Sequence, residues 1–259
     1  MEYPITSSAT SGLLALSETG STNQDLLALA ESENHPEFFT LTTEFQSAGR
    51  GRLDRSWQAA SGSSVMASVL VRPSFSQPTG IGWLSLLMAE AIRSALAERE
   101  LNPKIKWPND VLVDGKKISG VLAEANSNLS AVVVGFGINV NQTLQELPTT
   151  TATSLLASGA SSLDRDQLLA QTITHFKQLY LELAAAGGDA ISSGLHRKIL
   201  AASATVGELV EVSFPDGTFA VGEAVNIDEH GRLEVKTSSK TLLVSAGDVL
   251  HLRSAKQEN

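Results

Sequence analysis

The sequence predicts an α+β fold: a mixed β-sheet with helices packed on one face, followed by a small C-terminal β-barrel. Three observations carry this. β-rich runs such as Val65–Val71 and Ala131–Phe136 are interleaved with segments of helical periodicity up to Ala202. The texture changes near residues 202–206 to short strands between tight turns, at a spacing of ~8–12 residues. The chain has 259 residues, 42% hydrophobic and 18% charged, enough for one large and one small domain.

Taken in order, the first dozen residues are rich in Ser, Thr and Ala and are expected to be loose, and Leu13–Leu16 suits a short strand. Ser21 with Gln24 fits a Ser-x-x-Gln capping box, opening a helix that buries Leu26, Leu27, Leu29 and Ala30. Phe38–Glu44 is β-rich, and Ser64–Arg72 is a strand stopped by Pro73. Gly80–Arg99 carries Ile81, Leu84, Leu87, Met88, Ala91, Ile92 and Ala95 at helical spacing. Asp114-Gly115 marks a hairpin turn between Val111–Val113 and Lys117–Glu124, and Ser130–Val140 is a further β-run, for four to six strands in all. Asp164–Ala186 and Asp189–Ala202 read as helices around a Gly187-Gly188 break. The barrel strands are Val206–Phe214, Phe219–Asp228, Leu233–Thr237, Thr241–Val244 and Val249–Leu252, with turns at Pro215-Asp-Gly217 and His230-Gly231.

Composition excludes several functions. A net charge of −9 argues against DNA, RNA or an anionic membrane surface as partner. The absence of cysteine removes disulfides, thiolate catalysis and zinc–thiolate sites, and fits a reducing cytoplasm. No secretory signal opens the chain, and no apolar run approaches the ~20 residues that span a bilayer. No histidine pairs at metal-binding spacing, and no serine is framed as a hydrolytic nucleophile.

Four constellations can carry chemistry. Gln46-Ser-Ala-Gly-Arg-Gly-Arg-Leu-Asp-Arg-Ser-Trp57 packs three arginines, two glycines and a tryptophan into an acidic chain. Gly49 and Gly51 permit close approach of backbone to ligand. Arg50, Arg52 and Arg55 offer forks of donors to carboxylate and phosphate oxygens, and Trp57 a face for a base. The glycines match neither the dinucleotide fingerprint nor the P-loop. In Lys104-Ile-Lys-Trp-Pro-Asn-Asp110, Lys106 suits a phosphate and Asp110 a metal or ribose. In Gly115-Lys-Lys-Ile-Ser-Gly120, Lys117 opens an apolar strand and Gly120 suggests close approach by a ligand. In Val132-Val-Val-Gly135-Phe-Gly137-Ile-Asn139-Val-Asn141, alternate glycines bare one strand face to a ring, with Asn139 able to hold an oxygen or a metal-bound water. Taken singly, each also fits a structural role: a solvated loop, a strand end, a hairpin edge, a bend.

Taken together and in this order, the segments resemble biotin protein ligase. The matching residues are Ser21-Thr-Asn23, Glu44-x-Gln46-x-x-Gly49-Arg-Gly-Arg52, Trp57, Lys106-Trp-Pro-Asn-Asp110, Lys117-Ile-Ser-Gly120-Val-Leu-x-Glu124 and Gly135-x-Gly-Ile-Asn139. The resemblance runs from about Leu16 to Asn141 and resumes in the C-terminal barrel. It implies a class II synthetase-like catalytic domain over 13–203 and an SH3-like barrel over 204–254, of the ligase-only type without an N-terminal DNA-binding domain.

The resemblance further implies that biotin's carboxylate attacks the α-phosphate of MgATP to give biotinyl-5′-AMP, and that a lysine of a biotin carboxyl carrier protein then takes the biotinyl group. ATP with Mg²⁺ and biotin are substrates, with no tightly bound prosthetic group. On this reading Arg50, Arg52, Lys106 and Lys117 are catalytic. Biotin lies among Ser21, Thr22, Asn23, Gln46, Gly49, Arg50, Arg52, Lys117, Gly120, Leu122 and Gly137. The adenylate meets Arg50, Arg52, Trp57, Asn109, Lys117 and Asn139, and Asp110 with Asn139 holds Mg²⁺. Phe136 stands where a smaller residue is expected and could narrow the pocket. Lipoate–protein ligase, or a non-catalytic biotin or nucleotide sensor, are the alternatives. A free sheet edge could serve a weak homodimer or dock the carrier by strand addition.

Overall fold

The computed structural model describes residues 2–52, 55–214, 217–245 and 248–251. Leu53 and Asp54 of the Arg/Gly loop, the Pro215-Asp216 turn, and the end of the barrel from Leu252 to residue 254 lie outside them. The opening residues, expected to be loose, form helix α1 (Pro4–Ala9). The reason is a cap from far along the chain. The buried Asp166 carboxylate accepts from Ile5 N at 2.9 Å, Thr6 N at 2.8 Å and Thr6 Oγ1 at 2.7 Å.

β1 (Leu13–Leu16), α2 (Thr22–Ser32) and β2 (Thr40–Thr43) follow, with β1 and β2 parallel. β3 (Ser64–Val71), β4 (Pro103–Lys106), β5 (Asp110–Val113), β6 (Lys116–Ala125) and β7 (Val132–Asn139) join antiparallel, in the sheet order β1-β2-β3-β7-β6-β5-β4. This is one strand more than expected: β4 opens on Pro103, which a strand accepts at its first residue. At the β5–β6 turn, Asp114 and Gly115 take φ of 50° and 74°, as a two-residue type I′ hairpin requires.

β3 and β7 are buried at every position because both faces of the sheet are covered. On one face lie α3 (Leu84–Ala97), α4 (Arg165–Ala185) and α5 (Leu195–Ala202), over Val65, Ala67, Val69, Val134, Phe136 and Ile138. On the other lies α2, whose Leu26 and Ala30 meet Leu41, Leu70 and Val133. The periodic segment Gly80–Arg99 divides into a 3-10 turn (Pro78–Trp83) and α3. The stretch Pro78–Ala97 is long and apolar enough to cross a membrane by composition, yet 67% of it is buried, as a central core helix must be. Asp164 caps α4 by accepting from Gln167 N at 3.0 Å. The helix expected from Asp189 starts only at Leu195, because Asp189 Oδ1 accepts from Ile191 N at 2.8 Å and holds a turn instead.

Past Ala202, β8 (Leu209–Ser213), β9 (Phe219–Ile227), β10 (Leu233–Lys236), β11 (Thr241–Val244) and β12 (Asp248–His251) form an antiparallel sheet in the order β11-β10-β9-β8-β12. Its β9–β10 turn is clamped to the first domain. Trp83 Nε1 donates to Glu229 O at 2.8 Å, Trp107 Nε1 to Gly231 O at 2.9 Å, and His196 Nε2 to Ile227 O at 2.7 Å. A Cβ on Gly82 would stand 2.3 Å from His230 O, so only glycine allows this approach. At the other end of the junction, Thr205 Oγ1 accepts from Trp107 N at 3.1 Å and meets His251 Nε2 at 3.2 Å.

Two outcomes follow. Asp166→Ala would strand buried donors on Thr6 and is expected to cost about 2–3 kcal/mol, read from the urea midpoint; an unchanged midpoint would show that α1 is not held this way. Burial, then repulsion from Lys106, holds the His251 pKa below its ordinary 6.5, with Glu208 opposing. The fold therefore favours the neutral ring. Its contribution is fully present above 6.5 and drains away as pH falls toward the folded value, where the unfolded chain binds the extra proton. Between about pH 7.5 and about pH 5.5 the native protein should lose more stability than His251→Gln; parallel losses would refute the coupling.

Candidate active site

The site is built on a strip of sheet without side chains. Gly120 of β6 faces Gly137 of β7, and Leu122 faces Gly135. Because Val134, Phe136 and Ile138 belong to the core beneath α3 and α4, Gly135 and Gly137 open to the α2 face. By the same alternation Phe136 belongs to the core cluster, and it also contributes to the cavity lining.

Two side chains occupy the strip. A Cβ on Gly135 would stand 1.9 Å from Asn23 Oδ1, and one on Gly137 would stand 2.3 Å from Trp57 Cε2. Asn23 Nδ2 donates to Leu122 O at 3.0 Å and Glu124 Oε2 at 2.8 Å, tying the start of α2 to β6. The Trp57 indole lies over Gly137, with its Nε1 buried and lacking an acceptor.

Ser21 stands at the N-cap of α2, but its side chain makes no cap, so the capping box with Gln24 does not form. Gln46 does that work from the neighbouring loop: its Oε1 accepts from Thr22 N at 2.9 Å and Thr22 Oγ1 at 3.1 Å. The Ser21 hydroxyl is thereby left beside the cavity.

The Arg/Gly segment is a narrow hairpin. Trp57 N donates to Gly49 O at 2.8 Å, Gly51 N to Arg55 O at 2.7 Å, and Arg50 bridges Ser56. A Cβ on Gly49 would stand 2.4 Å from Trp57 O, so Gly49 serves the closure of the hairpin. Arg50 Nη1 reaches Glu124 Oε1 at 3.2 Å.

Across the cavity, Lys117 Nζ meets Asp110 Oδ1 at 2.7 Å. Gly120 makes room for that pair: a Cβ there would be 3.0 Å from Lys117 Nζ and 3.4 Å from Asp110 Oδ1. Asn109 fixes the preceding turn, donating from Nδ2 to Val121 O at 2.6 Å. Burial chiefly lowers the Lys106 pKa, opposed by Asp110 and reinforced by Lys117 and Arg55. Burial likewise lowers that of Arg52, with Asp110 opposing. Both cations sit in a site that gains from a bound anion.

These groups line one cavity of about 220 Å³. Of the residues singled out in the sequence, Ser21, Thr22, Asn23, Gln46, Arg50, Arg52, Trp57, Lys106, Asn109, Asp110, Lys117, Gly120, Leu122 and Gly137 all line it. Gly49 does not, and neither does Asn139, which is buried and donates from Nδ2 to Thr153 O at 2.9 Å. Asn139 thus braces the segment that backs β6, where Thr153 N donates to Lys117 O and Lys117 N to Thr151 O, both at 2.8 Å. Among the described residues no group of three or more His, Asp or Glu side chains could hold a metal ion.

Sequence reasoning missed two contributors. Val249 and Leu250 of β12 form part of the wall, contributed by the C-terminal domain, and no local pattern marks them. Arg55, read in the sequence alongside Arg50 and Arg52 as a donor to anions, lines the cavity with them. Among the described residues the lining carries Arg50, Arg52, Arg55, Lys106 and Lys117 against Asp110 alone among carboxylates, five cations to one in a chain of net charge −9.

Comparison with known proteins agrees with this geometry. The Biotin/lipoate A/B protein ligase family matches residues 17–141, and the Biotin protein ligase C-terminal domain matches residues 205–252. The biotin–[acetyl-CoA-carboxylase] ligase of Mycobacterium tuberculosis is 38% identical over 242 residues, 92% of this chain and 88% of that protein. The bifunctional ligase/repressor BirA of Bacillus subtilis is 31% identical over 242 residues, 90% of this chain and 71% of that protein. The structure of biotin protein ligase from Aquifex aeolicus in complex with biotin and ATP matches with a TM-score of 0.77 at 27% identity, covering 94% of this chain and 100% of that one. With matches in both domains and a relative this similar over nearly its whole length, the chain belongs to the biotin protein ligase family.

Proposed function

We propose that this protein activates biotin with MgATP to biotinyl-5′-AMP and transfers the biotinyl group to a lysine of a biotin carboxyl carrier protein, in the cytoplasm. The observation that carries the reading is the excess, among the described residues, of five cations over one carboxylate around the cavity. Both substrates of the first step are anions, and their approach is opposed unless fixed positive charge surrounds the meeting point. Biotin's carboxylate oxygen forms a bond to the α-phosphorus, the bond to the bridging oxygen breaks, and pyrophosphate leaves. Arg50 and Arg52 bind the carboxylate and phosphate oxygens. Lys117, steadied by Asp110, follows the carboxylate oxygen as it becomes the acyl-phosphate oxygen, and buried Lys106 adds charge to the phosphate side.

The Mg²⁺ arrives on the nucleotide. It keeps phosphate and water oxygens and needs one or two protein carboxylates, for which Asp110 is the candidate in the cavity. Asn139 acts behind Lys117 in this reading rather than on the ion. In the second step the acceptor amine attacks the acyl carbon, loses a proton, and AMP leaves.

The polar end of the cavity favours biotin over lipoate. Ser21, Thr22, Asn23 and Gln46 suit a ureido ring with donors and an acceptor in fixed places, whereas a dithiolane asks for an apolar slot. Trp57 offers the base its face. The net charge of −9 gives nucleic acid no foothold, so the carrier is the one macromolecular partner required.

Incubation of the purified protein with MgATP and either biotin or lipoate, without carrier, should leave biotinyl-AMP alone on the protein by mass spectrometry. Lipoyl-AMP would move the chain to the neighbouring branch, and neither product would favour a sensor. Lys117→Ala should slow adenylate formation about 10²–10³-fold, the usual cost of losing one donor at developing charge; a rate within a factor of two or so would remove Lys117 from the mechanism.

A further inference from the structure

Glu124 has no part in the reaction as derived so far, and its position asks for one. A carboxylate beside a site for two anions opposes binding unless it is neutralised and has work to do. Glu124 holds two groups at once. Its Oε1 faces Arg50 Nη1 at 3.2 Å, and its Oε2 accepts from Asn23 Nδ2 at 2.8 Å.

Asn23 is itself immobilised. It rests on Gly135, donates to Leu122 O at 3.0 Å, and accepts at Oδ1 from Ser68 Oγ at 2.7 Å. Ser68 is fully buried in β3, so the line from Ser68 through Asn23 to Glu124 runs from the centre of the sheet to Arg50, which lines the cavity. At its end stands Arg50, carried by a hairpin and bearing a 43%-exposed side chain. A guanidinium has five N–H donors in a rigid fork. With one nitrogen spent on Glu124, the rest remain to face the cavity that Arg50 lines.

The geometry points to Glu124 as a positioning residue for Arg50: it references a hairpin arginine to the rigid sheet, so that the guanidinium grips the anionic adenylate in one orientation. The arrangement mirrors the one opposite, where Asp110 holds Lys117. The inference rests on the proposed adenylation. The sequence motif contained Glu124, but spacing alone gave it no partner, since Arg50 and Asn23 lie 74 and 101 residues away in the chain.

The test is the release rate of biotinyl-AMP from the protein, by pulse-chase after adenylation in the absence of carrier. Glu124→Gln keeps an oxygen for Asn23 and removes the charge that faces Arg50. It should release the adenylate about five-fold faster, the scale of a half-exposed ion pair. Combined with Arg50→Ala, the same change should add nothing, because its effect passes through Arg50. Glu124→Asp, which keeps the charge, should release more slowly than Glu124→Gln, and it takes over the cycle if the glutamine variant fails to fold. A five-fold effect persisting in the Arg50→Ala background, or slower release from Glu124→Gln, would overturn the inference. No adenylate on the native protein would bring down the ligase reading and this inference with it; a native adenylate released at the same rate from Glu124→Gln brings down this inference alone.

Discussion

The absence of side chains at Gly120, Gly135 and Gly137 is the constraint on which the rest of the site depends. A single Cβ at any of the three would press into Lys117, Asn23 or Trp57 respectively. Remove the strip and Asn23 can no longer cross from α2 to β6, Trp57 loses its seat, and the Lys117–Asp110 pair is pushed outward. Packing elsewhere in the sheet makes the strip possible. β3 and β7 are buried on both faces because helices cover both. That rigidity lets two glycines stand in the middle of β7, where glycine would otherwise weaken a strand. The cost of placing glycine in a strand is thus offset by burial on either side, and the space gained becomes the floor of the cavity.

Charge is laid over that floor by elements distant in the chain. Arg50, Arg52 and Arg55 come from one hairpin, Lys106 and Asp110 from the β4–β5 connection, and Lys117 from β6. Arg52 and Lys106 are held where burial lowers their proton affinity, so an arriving phosphate or carboxylate recovers part of what folding spent on desolvating them. A P-loop reaches a similar end with backbone N–H groups at a helix terminus. Here the first N–H of α2 at Thr22 is taken by Gln46, and side-chain cations supply the field instead. This explains why the Arg/Gly segment fits no phosphate-binding glycine pattern. Its glycines shape a hairpin, with Gly49 making room for the Trp57 carbonyl.

What was legible in the sequence is what local pattern encodes. Val65–Val71 and the run into Asn139 read as strands because β-branched residues fill them, and Asp114-Gly115 announced its turn by chemistry that only a left-handed pair satisfies. Fourteen of the singled-out residues meet in one cavity because ordered motifs carry chemistry as well as structure. The failures share one physical origin, a tertiary partner that local sequence does not name. α1 forms because Asp166 caps it from α4. The Ser21 box gives way to Gln46. Asn139 turns its amide to Thr153 and away from the cavity. Leu250 is an ordinary strand residue until β12 is seen beside the site.

That last residue changes how the C-terminal domain is understood. Chain order and composition suggest an appended barrel, and the junction argues otherwise. Trp107 lies within the Lys106–Asp110 segment, yet its indole donates to Gly231 and its backbone N–H to Thr205. Trp83, just ahead of α3, donates to Glu229, and Ala204 N pairs with Ile105 O at 2.7 Å. Each such bond contributes about 1 kcal/mol net, and leaving either indole N–H buried without an acceptor costs more than the bond contributes. The residues that fix the charged turn of the active site are therefore the same ones that hold the second domain. Any shift of the β9–β10 turn is transmitted through Trp107 to the backbone carrying Lys106 and Asp110, and any shift of β12 moves the wall at Val249 and Leu250. The two domains share one cavity and one set of hydrogen bonds, so the geometry of that cavity cannot be set by the seven-stranded sheet alone.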